Sequence, residues 1–268
     1  MKNVSRCLTV ALVALLALPV FAQDTEDCMR CHSDDELIVE KGDEEISGWV
    51  DLEAFENTVH GRLDCIACHL DLEDEEMPHA DDLEPVDCAE CHDEVVEDYA
   101  TSVHAHAPEH DMVGATCVDC HGKHDILRST DRRARIYPLN VYVTCGKCHF
   151  ENDPTTATAD ELLRDPYTDD SHAHGILKEG LIGSATCVSC HGGHLVHAKG
   201  DPESPLSRLN VDRACGECHV GVMEQYRQSV HHLTAHGDEH KGATCTDCHF
   251  PHAITTADDE FRAHTAQS

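Results

Sequence analysis

The sequence predicts a mainly α-helical chain with large irregular content and few or no strands. Three observations carry that prediction. Eight Cys-x-x-Cys-His motifs take up 16 of the 17 cysteines. Aromatic residues are only 4% of the 268 residues, few for a conventional core of that size, because aromatics dominate core burial. Short apolar stripes recur between the motifs, as at Met223, Tyr226 and Val230, whose i, i+3, i+7 spacing marks one face of a helix. Composition narrows the class further. Asp and Glu number 52 against 19 Lys and Arg, a net charge of −33, so the overall field repels nucleic acid. With 24 His beside the 17 Cys, the excess calls for disulfides, a metal or a covalent cofactor.

The N-terminus predicts export. Lys2 and Arg6 precede an apolar run from Cys7 to Val20, and Val20-Phe21-Ala22 leads into the polar Gln23 and Asp24. This is the pattern of a secretory signal peptide over residues 1–22, leaving 23–268 as the mature chain. The run falls short of the roughly 20 apolar residues that cross a bilayer. No other run approaches that length, so no integral membrane span is expected after cleavage, and the location is periplasmic or extracellular. Cys7 leaves with the leader. So do Lys2 and Arg6, which takes the net charge from −33 to −35.

The sixteen remaining cysteines form eight pairs, each with two residues between and a His directly after. They are Cys28, Cys31 and His32; Cys65, Cys68 and His69; Cys88, Cys91 and His92; Cys117, Cys120 and His121; Cys145, Cys148 and His149; Cys187, Cys190 and His191; Cys215, Cys218 and His219; Cys245, Cys248 and His249. The spacing is that of covalent haem attachment. Two thiols about one turn apart reach the two vinyl groups of one haem and form thioethers. The next imidazole then lies under the iron as proximal ligand. Disulfides would account for an even cysteine count but not for a His after every second Cys. Zinc ribbons pair Cys-x-x-Cys without requiring that His. A thioredoxin-like redox motif occurs once or twice, not eight times. The expected cofactors are therefore eight covalently bound haem c groups. They would supply the apolar core that the aromatics do not, and a chain wrapped so thinly around them should fold only with them.

Repeats predict the distal ligands. An aromatic stands five residues before a His at Phe55 and His60, Tyr99 and His104, Tyr167 and His172, and Tyr226 and His231. Each such segment is expected to be a short amphipathic helix whose last turn presents the imidazole. A second His follows three residues after the motif His at His124, His194 and His252. The Gly after His121 and His191 suggests a tight backbone there. The pattern fails at Leu72, where His79 is the nearest substitute. The distal set is thus His60, His79, His104, His124, His172, His194, His231 and His252, enough to make all eight irons bis-His. His174 and His232 remain alternatives to His172 and His231, because they stand 13 residues before the next Cys, as His104 does. The mature chain reads as a single elongated domain of four two-haem modules, at about 28–79, 88–124, 145–194 and 215–252.

Acidic runs such as Asp71 to Glu76 read as solvated surface that keeps the chain soluble and steers basic partners. Arg128, Arg132, Arg133 and Arg135 in one connector are suited to haem propionates or to an acidic partner.

The aromatic-x4-His segment joined to Cys-x-x-Cys-His-Gly-x-His, best seen from Tyr99 to His124 and from Tyr226 to His252, resembles the multihaem c-type cytochromes of anaerobic respiration. The repeats cover essentially the whole mature chain. The resemblance implies a haem-packed core and electron relay between redox partner proteins, with no catalytic residue. Two other functions are implied by relatives of that group. One is reduction of a small nitrogen or sulfur species at one open haem, which the departure at Leu72 would allow. The other is self-assembly as a subunit of an extracellular filament, through His264 or another spare His.

Overall fold

In a computed structural model of the chain, the described residues are 24–41, 44–73, 75, 77–80, 83–150, 170–237, 240–250, 252 and 254. The leader, Tyr167 and His264 lie outside them. Among the described residues the chain is mainly helical, built of short helices and long irregular connections, with one two-stranded sheet.

Helix α1, Thr25–His32, starts at Asp24, whose carboxylate accepts the Asp27 N–H, and its acidic first turn complements the helix dipole. The antiparallel hairpin of β1, Ile38–Lys41, and β2, Glu44–Ser47, pairs Val39 with Ile46. It delivers the Gly48 carbonyl to Nδ1 of His32 at 2.5 Å. The hairpin thus anchors the first motif histidine from its outer side.

The apolar stripes form helices, but these stop short of the histidines. Helices α2, Leu52–Glu56, and α3, Ala89–Ala100, both end soon after the aromatic. His104 then opens a new helix, α4, Val103–His106. The motif helix α5, Cys117–His121, and the longer α6, Val141–His149, follow. Helix α7, Ser171–Leu177, carries His172 in its first turn, and α8, Cys187–His191, is the next motif helix. Helix α9, Val211–Gly216, leads to α10, Val220–Arg227, and His231 opens α11, Val230–Ala235. The expectation of a histidine in the last turn is therefore corrected. At His104, His172 and His231 the imidazole sits in the first turn of a second helix, and His60 stands in the turn beyond α2.

The cause lies two residues upstream of each. Thr58, Ser102, Asp170 and Ser229 have side-chain oxygens that compete with the backbone ladder and favour a cap over continued helix. Thr58 Oγ1 accepts the His60 N–H at 3.2 Å, Ser102 Oγ that of His104 at 3.3 Å and Asp170 Oδ1 that of His172 at 2.7 Å. Ser229 Oγ accepts from the His232 N–H at 3.3 Å.

Buried apolar side chains are few among the described residues; the larger ones include Leu72, Tyr137, Tyr142, Ile176, Val211 and Met223. Exposed large apolar side chains outnumber them among the described residues. The lead-ins at Asn140 and Asn210 play the same role twice. Each side-chain amide donates to two carbonyls of the preceding connector, Arg132 and Ala134 or Pro202 and Ser204.

Candidate metal centres

Motif helices α5 and α8 and the 3-10 turn Cys245–Asp247 start in the same way. Thr116, Thr186 and Thr244 form capping boxes with Asp119, Ser189 and Asp247. The cap fixes where the two thiols and the histidine emerge. After His121 and His191 the chain turns at Gly122 and Gly192, with φ of 91° and 83°. A Cβ on Gly122 would press on the Asp125 carboxylate, and one on Gly192 on the Leu195 carbonyl. The turn brings back the His three residues on.

The eight motifs adjoin one another in chain order. Within each module the first cysteines face each other: Cys28 and Cys65, Cys88 and Cys117, Cys145 and Cys187, Cys215 and Cys245. Burial and then the Cys65 neighbour push the Cys28 thiol up to about 11. Across the seams Cys91, Cys148 and Cys218 lie near enough to Cys68, Cys120 and Cys190 to add to the upward push that burial gives those thiols.

Seven of the motif histidines face a second imidazole. Ring centroids are 6.0 Å apart for His32 and His79, 6.0 Å for His60 and His92, and 6.2 Å for His69 and His124. They are 6.1 Å apart for His104 and His149 and 5.9 Å for His121 and His194. The last two pairs are His172 with His219 at 5.9 Å and His191 with His252 at 5.7 Å. These spacings fit a metal. Two imidazoles bound trans to one ion, each through a nitrogen about 2.0 Å away, have centroids about 6.3 Å apart. Direct stacking has no reason to settle on one such spacing seven times. At seven of the eight motifs, two thiols and two imidazoles would fit a covalently attached haem.

The outer nitrogens are held as ligating imidazoles require. Nδ1 of His32 donates to the Gly48 carbonyl, and Nδ1 of His79 donates to Ala80 at 2.7 Å. Nδ1 of His172 lies 3.3 Å from the Asp170 carboxylate, whose hydrogen bond raises the His172 pKa. Burial pushes His69, His104, His121, His124 and His191 below the ordinary imidazole value, toward the neutral form that binds metal. His252 adopts φ of 65°, in the left-handed region that non-glycine residues rarely enter outside functional sites.

The pairing crosses module boundaries in a fixed phase. The histidine five after an aromatic meets the first motif histidine of the next module: His60 with His92, His104 with His149, His172 with His219. The histidine at plus three meets the second motif histidine of the previous module: His124 with His69, His194 with His121, His252 with His191. A backbone hydrogen bond marks each seam. The N–H groups of Val59, Val103 and Ser171 donate to the carbonyls of Ile126, Val196 and Ile254, at 3.1, 2.9 and 2.6 Å.

The phase accounts for two departures from the repeat. Leu72 stands where the plus-three His of a module would serve the module before it. Its substitution leaves no described motif histidine short, because His69 has His124 and His32 has His79. At the other end, His231 forms no ring pair among the described residues and is exposed, so the structure does not bring it to His249. His249 has its own interaction elsewhere. His232 is turned away, edge-on to Tyr226 and 4.4 Å from His236. With Asp212, these two place ligand atoms within 4.8 Å of one another, a group able to hold a cation. In the Arg connector, Arg133 pairs with Asp131 at 2.8 Å and Arg135 with Asp125 at 3.0 Å. These two therefore already face protein carboxylates.

Among the described residues no helix is long and apolar enough to cross a membrane. No protein-family model, curated protein or solved structure matches the chain.

Proposed function

We propose that the chain is an octahaem c-type cytochrome, exported to the periplasm or beyond, that passes electrons through closely packed bis-His haems in anaerobic-type respiration. The carrying observation is the set of seven imidazole pairs at 5.7 to 6.2 Å, each joining one motif histidine to one repeat histidine. The contacts between successive motif cysteines support a row of centres in chain order. Exposed apolar side chains inside the motifs, such as Val118 and Val188, are surfaces a porphyrin would cover.

Haem supplies one-electron chemistry, and the protein sets its potential and position. The sixteen motif cysteines would hold the groups and the motif histidines would each supply a ligand. His60, His79, His104, His124, His172, His194 and His252 would supply a second. Two imidazoles on a metal would keep substrate from it, which suits a relay to redox partner proteins. Met ligands would raise the potential, and none stands in phase. A redox titration followed by absorbance tests this reading. It should show eight electrons per chain, with low-spin haem at the seven paired histidines and no carbon monoxide binding at those seven by the reduced native protein. A high-spin fraction that binds carbon monoxide would instead favour reduction of a small nitrogen or sulfur species at an open haem.

A further inference from the structure

Module four departs from the repeat at three positions. The lead-ins at Asn140 and Asn210 align Asp212 with Tyr142. The histidines five after an aromatic align His232 with Ala105 and Ala173 of modules two and three, and His236 with Glu109 and Leu177. A single departure is ordinary divergence between copies. Here three departures, from two separate segments, meet at one point.

Asp212 lies in the first turn of α9 and is 4% exposed. Its Oδ1 accepts the Arg213 N–H at 2.9 Å. Its Oδ2 is left to two imidazoles, 3.2 Å from Nε2 of His236 and 3.9 Å from Nε2 of His232. Those histidines stand four apart, on α11 and in the residue that ends it, the spacing that sets two side chains on one helix face. Tyr226 packs edge-on against His232 at 5.3 Å and is itself held by its hydroxyl, which donates to the Ala243 carbonyl at 3.0 Å. Among the described residues no Lys or Arg side chain pairs with Asp212. Buried carboxylates are paired with a cation or coordinate a metal.

The spacing says what would complete the group. Ligand atoms 2.0–2.1 Å from one tetrahedral ion lie about 3.3–3.4 Å from one another. The two Asp212 distances bracket that value. The centroids of His232 and His236 are 4.4 Å apart, against 5.7 to 6.2 Å in the seven facing pairs. Imidazoles at neighbouring vertices of one ion have centroids about 4.5–5 Å apart. These two are therefore placed as adjacent ligands, not as ligands on opposite sides of a haem iron. Two imidazole nitrogens with one carboxylate suit a borderline divalent ion, whereas calcium and magnesium take oxygen alone. His236 is exposed, which gives such an ion a way in from solvent.

We propose that Asp212, His232 and His236 bind one divalent ion of the zinc class, in a site separate from the eight attachment motifs. The ion ties α9, which leads into Cys215 and Cys218, to α11, which precedes Cys245. It bonds to Nε2 of each imidazole and to Oδ2 of the carboxylate, and no electron moves. The site is built from side chains outside the motifs, so it stands whether or not the haem reading does.

The test uses the full-length holoprotein, with haem counted first. Chelator dialysis removes loosely held metal and leaves covalently attached haem in place. Zinc chloride is then titrated in by calorimetry, and the absorbance spectrum and melting temperature are followed. Wild type should take up one zinc per chain in a tight class, distinct from weak binding to scattered surface groups, and its melting temperature should rise. Asp212→Asn, His232→Ala and His236→Ala should each weaken that class at least about tenfold with the haem spectrum unchanged. His106→Ala, which removes an exposed histidine elsewhere, should leave the tight class as it is. Three results would overturn the proposal: no tight class in wild type, a tight class that survives His236→Ala, or a low-spin haem lost in His232→Ala, which would make His232 a haem ligand instead. If Asp212→Asn does not fold, the exposed His236→Ala carries the test. A count short of eight haems sinks the functional reading and leaves the zinc result standing.

Discussion

Asp170 is the residue where one side chain serves structure and chemistry together. It caps α7 through Oδ1, accepts the Ile254 N–H through Oδ2, and lies 3.3 Å from Nδ1 of His172. A carboxylate at the outer nitrogen of a ligating imidazole makes that ligand more basic and favours the oxidised metal. Asp170→Asn should therefore raise the potential of one haem in eight. The shift is on the order of 50 mV if about 1 kcal/mol of preferential stabilisation is lost. Spectroelectrochemistry reads this directly, and an unchanged titration curve would mean that His172 ligates nothing. The members of all seven imidazole pairs were legible in the sequence, either directly after the second motif Cys, three residues later, five after an aromatic, or, for His79, as the nearest His past Leu72. His231 was legible by the same rule but stands apart from every described ring. Its local pattern is unchanged, with Ser229 capping the helix that it opens.

At the level of elements, the sequence misled about where helices end. Met223, Tyr226 and Val230 keep helical spacing, yet α10 stops at Arg227 and α11 begins at Val230. Apolar periodicity cannot register a break of two residues when the stripe resumes in phase. The signal that could have found it was the Ser, Thr or Asp two residues before each histidine, a helix-start pattern. Likewise the Thr before Cys117, Cys187 and Cys245 announces a capping box that cysteine counting passes over. The loop before each of these motifs carries its own prediction. A Cβ on Gly114 meets the His104 carbonyl, whereas one on Gly183 meets nothing within 4 Å. Gly114→Ala should cost about 1–3 kcal/mol by overpacking, lowering the melting temperature by roughly 2–4 °C per kcal/mol, and should perturb the spectrum of one haem. Gly183→Ala should be neutral or slightly stabilising. Equal melting temperatures for the two variants would contradict the packing described.

Across the whole molecule, the organising feature is the phase of the histidine pairs. A sequence repeat states which residues are equivalent but not which copy meets which, so exchange between neighbouring modules was beyond sequence reading. Leu72, His79 and His231 are the places where the described residues depart from that exchange. On the haem reading the scarcity of aromatics also has a reason: a chain wrapped around apolar cofactors would need little protein core of its own, and few large side chains are buried among the described residues. Everything at this scale depends on the sixteen motif cysteines carrying haem. The intact mass of the exported protein, measured with its absorbance spectrum, tests that most directly. The account predicts the mass of residues 23–268 plus eight haems, all resistant to denaturation. A mass equal to the bare chain, or to the chain less the hydrogens lost to disulfides, would contradict it.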